Sequence, residues 1–144
     1  MATACDAPPD ATLPLVAGGA LDLTGFYGQK LVIFFCPGAD PDSALAEIRT
    51  YERLRPAFEA AGAWVVGILP FECEAAIKVA DCKLPIGIDP EGAALRRLAG
   101  RAFGRVAISG NGGTFVIDRD GRLRRSWDSC GHAAAALESV RERP

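Results

Sequence analysis

The run Leu31-Val32-Ile33-Phe34-Phe35-Cys36, stopped by Pro37-Gly38, constrains the fold more than any other stretch of the 144 residues. It is unbroken, β-branched and aromatic, with no polar residue at alternate positions, so it reads as a strand covered on both faces. Ala63-Trp64-Val65-Val66-Gly67-Ile68-Leu69 reads the same way, as a second fully buried strand. Between them, Asp40 supplies an N-cap carboxylate and Pro41 a first helical residue. Leu45, Ile48, Tyr51, Leu54 and Phe58 recur at helical spacing over 41–60, with Arg55-Pro56 a potential kink and Gly62 the stop. Two buried strands joined by a helix make a βαβ unit, whose strands run parallel.

The remaining segments extend this unit. Ala7 to Pro14 is rich in Pro and Asp and is expected to be extended, with a short strand at Ala20 to Leu23 before a turn at Gly25 to Gly28. Glu72 to Cys82 is expected to be a helix whose acidic first turn suits the positive end of its dipole, and Asp89-Pro90 opens another to Ala99. Gly113 to Asp118, Arg119-Asp120-Gly121 and Arg122 to Trp127 spell a hairpin, and an alanine-rich helix follows over 132–141. The reading is one α/β domain spanning residues 1–144, with a mixed sheet, helices on both faces and a mobile tail over 1–10. At 49% apolar residues, such a chain can bury roughly two thirds of its unfolded surface.

Charge and cysteine usage narrow the function classes. Sixteen basic against eighteen acidic side chains give a net charge of -2, with no basic block suited to a phosphate backbone, so nucleic acid is not an expected partner. Arg119, Arg122, Arg124 and Arg125 read first as the polar edge of the hairpin and only second as an anion site. The start lacks the pattern of a secretory signal, and the longest apolar run falls far short of the ~20 residues that a membrane helix needs, so the expected setting is cytoplasmic. Five irregularly spaced cysteines without a Cys-x-x-Cys argue against a disulfide framework. No cofactor is expected.

The wording of the segments carries a resemblance. Ala7-Pro8-Pro9-Asp10-Ala11-Thr12-Leu13-Pro14, Leu21-Asp22-Leu23, and Gly28-Gln29-Lys30 leading into the first strand and Pro37 resemble the opening of the peroxiredoxins. Thr114-Phe115-Val116-Ile117-Asp118-Arg119-Asp120-Gly121, followed by Gly131-His132, is similar to that family's end, and the likeness is nearest to the bacterioferritin comigratory protein branch. The resemblance implies a thioredoxin-like fold, antioxidant thiol chemistry and a thiol reductant such as thioredoxin, in a monomer or homodimer.

The resemblance also implies where chemistry should occur, in a Pro-x-x-x-Thr-x-x-Cys motif whose thiolate sits in the first turn of the helix after the strand. Pro37 matches, but counting forward puts Pro41 at the Thr position and Ala44 at the Cys position, or Ser43 there if one residue is deleted. No cysteine occurs between Cys36 and Cys73, and Gly112 stands where the family's arginine is expected, with Arg101 or Arg105 as distant substitutes. The candidate thiols are therefore Cys36 at the first strand's end, Cys73 opening a helix, and Cys130 after the hairpin, all expected at the carboxyl end of the sheet. Cys130 or Cys82 would resolve, and His132, two residues from Cys130, could share a proton; Cys5 lies in the tail. Two readings stand: a thiol redox protein using non-standard cysteines, or an inactive binding, regulatory or dimerisation module. A metal site from Cys36, Cys73, Cys130 and His132 is a distant third.

Overall fold

The computed structural model describes residues 12–15, 19–22, 28–36, 41–69, 84–88, 113–127 and 131–141. The strands are β1 Thr12–Pro14, β2 Ala20–Asp22, β3 Lys30–Phe35, β4 Ala63–Leu69, β5 Ile86–Ile88, β6 Gly113–Ile117 and β7 Leu123–Trp127; the helices are α1 Pro41–Ala60 and α2 Ala133–Arg141. Five strands form one sheet in the order β5-β4-β3-β6-β7, while β1 and β2 make a separate antiparallel pair. β3 is central, parallel to β4 and antiparallel to β6, so the βαβ unit and the hairpin stand as the sequence predicts. The two helices expected over 72–82 and 89–99 lie outside the described residues.

Strand alternation divides the core into two layers. Val32, Phe34 and Cys36 face one side with Val65, Leu69 and Val116, beneath Ala44, Ile48, Tyr51 and Phe58 of α1 and Ala136, Leu137 and Val140 of α2. Leu31, Ile33 and Phe35 face the other with Val66, Ile68, Phe115, Ile117 and Leu21. Every residue of β3 is buried, which is why its sequence shows no alternation. Phe34 stacks on Tyr51 with ring centroids 4.0 Å apart and planes at 6°, tying the middle of the sheet to the middle of α1. Gly67 pairs in register with Phe34, and a Cβ at Gly67 would come within 2.5 Å of Phe34 Cζ and 2.8 Å of Ile86 Cδ1. The glycine makes room for the ring.

One expectation needs adjustment, and two further elements show what the sequence left open. β4 is not fully buried, because Trp64 is 51% exposed. By strand alternation its side chain shares the face of Val66 and Ile68, and its indole N–H donates to the Gln29 side-chain oxygen. α1 runs through Pro56 to Ala60, with Pro56 exposed, and ends where Gly62 takes a φ of 78°. β5 carries no strong sequence signal, since three residues interrupted by Gly87 are too few to show a period; it is recruited by pairing Gly67, Ile68 and Leu69.

The hairpin turns through Asp118, whose carbonyl accepts the Gly121 N–H at 2.9 Å, with Gly121 at φ 82°. A register shift between Val116 and Ile117 bulges β7 at Arg124, so Leu123 joins the β1–β2 side of the sheet while Arg125 and Trp127 face α2. No helix among the described residues is long and apolar enough to cross a membrane.

Candidate functional site

Sheets of this kind place their sites at the carboxyl ends of the parallel strands, here the ends of β3 and β4. Cys36 continues β3 by donating its backbone N–H to the Ile68 carbonyl at 2.9 Å. Its thiol is on the helix-covered side, where the residue is only 3% exposed. Cys36 faces the core. α1 then begins at Pro41, and its first turn carries an exposed Asp42, an exposed Ser43 and a buried Ala44 that is 2% exposed. The inward position is therefore filled by a methyl group, and the outward one by a hydroxyl.

One turn further along, Glu47 points into the same layer and is 6% exposed. Its Oε2 accepts the backbone N–H of Gly131 at 2.9 Å. Gly131 precedes His132, whose carbonyl accepts the Ala136 N–H at 2.9 Å and so starts α2. α2 has no acidic residue in its own first turn, and Glu47 supplies a carboxylate to that positive end from another helix. The opposite end is held by Lys30, 8% exposed, whose ammonium donates to the Val140 carbonyl at 2.6 Å. α2 is thus clasped at both ends by charges from α1 and β3.

His132 is half-buried and stacks on Trp127, with centroids 5.4 Å apart and planes at 13°. It lies directly before the first residue of α2. Pro37, Cys73 and Cys130 lie outside the described residues, as do Cys5, Cys82, Arg101, Arg105 and Gly112. Among the described residues, no three His, Cys, Asp or Glu side chains come together as a metal site.

Sequence reasoning missed Glu47 and Lys30. A signal existed, since Glu47 is three residues after Ala44 and four before Tyr51, a charge within the apolar stripe of α1. Lys30 is a charge directly before the apolar run. Neither spacing says which carbonyl or amide such a charge will meet.

The sequence profile of the AhpC/TSA family matches residues 5–126. A candidate peroxiredoxin of Mycobacterium tuberculosis is 28% identical over 127 residues, covering 82% of this chain and 80% of its own length. Another from Helicobacter pylori, bcp, is 27% identical over 142 residues, covering 92% and 93%. Among solved structures, the bacterioferritin comigratory protein of Xanthomonas campestris superposes with a TM-score of 0.76 at 22% identity, over 96% of this chain and 98% of that one. The peroxidoxin BcpB of Mycobacterium tuberculosis superposes at 0.72 with 24% identity, over 94% of each. At these identities the structural likeness establishes a thioredoxin-like fold.

Proposed function

This chain belongs to the AhpC/TSA family, of peroxiredoxin type, and on that premise we propose that it is a thiol redox protein whose sulfur chemistry does not occur in the first turn of α1. The observation that carries this reading is the composition of that turn: a buried Ala44 methyl and an exposed Ser43 hydroxyl. Serine does not replace a thiolate there. A helix dipole supplies about 1 kcal/mol, under one pKa unit, which is far too little to ionise a hydroxyl near neutral pH. Asp42 adds a negative charge beside it.

The candidate thiols are Cys36, Cys73 and Cys130, and the burial of Cys36 favours the other two. A thiolate attacks one oxygen of the hydroperoxide, the O–O bond breaks, and sulfenic acid forms with release of water or an alcohol. A second thiol attacks the sulfenic sulfur, forms a disulfide and releases water. An external dithiol of the thioredoxin class returns both sulfurs to the reduced state, in keeping with a cytoplasmic setting. His132, two residues from Cys130, is the proposed proton partner, and Pro37 and Ser43 mark the vacated motif.

The second reading, a catalytically silent binding or dimerisation module, is favoured by the same Ala44 and by the shielding of Cys36. Stopped-flow mixing of the reduced protein with hydrogen peroxide, with mass-spectrometric mapping of the oxidised cysteines, separates the two. Selective oxidation of Cys73 or Cys130 supports the redox reading. Slow, indiscriminate oxidation supports the silent module, and fast peroxide consumption by a variant lacking all five cysteines overturns both.

A further inference from the structure

We propose that the cleft between β7 and α2 is a binding site for a phosphate group, either inorganic phosphate or a small phosphate monoester. The cleft, about 520 Å³, is lined by Arg125, Ala135, Glu138, Ser139 and Arg141. Of the hairpin arginines, Arg122 is spent on Asp120 at 3.7 Å and Arg124 on Asp118 at 3.1 Å. Arg125 is different. The bulge turns it toward α2, and among the described residues neither it nor Arg141 has a carboxylate partner.

The Arg125 guanidinium lies over the Trp127 ring, 5.3 Å from its centroid. Cation–π attraction holds the guanidinium over the ring and leaves N–H groups directed away from it available. Ser139 lines the same cleft and is 2% exposed, and its buried hydroxyl has no hydrogen-bond partner among the described residues. Among the described residues, two guanidiniums against the single carboxylate of Glu138 leave the cleft positive. The C-terminal carbonyl of Val140, which would otherwise oppose an anion here, is already taken by the Lys30 ammonium at 2.6 Å. A phosphate offers three or more oxygens to the two guanidiniums, whereas a carboxylate has only two.

The test is titration of the full chain with inorganic phosphate and with glycerol 3-phosphate, read from the backbone amide shifts of Arg125 and Ser139, against chloride and acetate at matched ionic strength. Both phosphates are expected to give saturable shifts that chloride and acetate do not. Arg125→Gln and Arg141→Gln should each weaken binding about tenfold, the loss of one charge-assisted contact. Glu138→Gln, which removes the opposing carboxylate, should tighten it. Shifts that match those of chloride, or that survive in the Arg125→Gln/Arg141→Gln double variant with its amide spectrum intact, would overturn the proposal.

Discussion

The Glu47 carboxylate on α1 accepts the Gly131 N–H at 2.9 Å across a sequence separation of 84 residues, and so fixes where α2 begins. Glu47→Ala leaves that amide without its partner and strips the helix start of its negative charge. Such a change should cost about 1–3 kcal/mol. Glu47→Gln should cost less, because its amide oxygen still accepts. Urea unfolding with an unchanged m-value and a lower midpoint for the alanine variant checks this.

Lys30 performs the matching role at the other end, where its ammonium donates to the Val140 carbonyl. Lys30→Met keeps the aliphatic stem and removes only the charge. Stability should fall by about 1–2 kcal/mol. Hydrogen exchange should quicken first at the amides of Leu137 to Val140, with Lys30→Arg retaining most of the protection. Uniform loss of protection across the sheet would contradict a local clasp.

Gly67→Ala tests the fit of the central layer, because the new Cβ would meet Phe34 Cζ at 2.5 Å. Overpacking of this kind costs about 1–3 kcal/mol. Combining it with Phe34→Leu should recover part of the loss, since the two sites share the same space. Additive losses in the double-mutant cycle would show that the strain is relieved elsewhere.

Cys36 is 3% exposed, so an alkylating thiol reagent reaches it only through local opening. Its labelling in the native protein should be at least about a hundredfold slower than in urea. Cys36→Ala should leave peroxide-induced oxidation of the other cysteines unchanged. Labelling of Cys36 at the unfolded rate would show that the strand end opens freely.

Local chemistry made much of the architecture legible. Six consecutive apolar residues at 31–36, mostly β-branched and aromatic and stopped by Pro37-Gly38, read as a strand covered on both faces, and the helix over 41–60 announced itself by its proline start, its apolar spacing and its glycine stop. The polar hairpin edge was readable from its arginines, and Arg122 and Arg124 do pair with aspartates of the turn. Trp64 shows the limit of such reading. An apolar run states that residues are suited to burial, but whether each of them is covered depends on where neighbouring elements stop.

The site divides in the same way. The absence of sulfur from the first turn of α1 is a property of composition and spacing, which the order of residues alone determines. That Ala44 points inward, that Cys36 faces the helices, that Glu47 finds the Gly131 amide and that Arg125 turns away from the other hairpin arginines were decided by the tertiary structure. The reason is physical: periodicity along the chain sets which residues share a face, but a hydrogen bond spanning 84 residues, or a bulge that switches a side chain across a sheet, depends on the packing of distant elements.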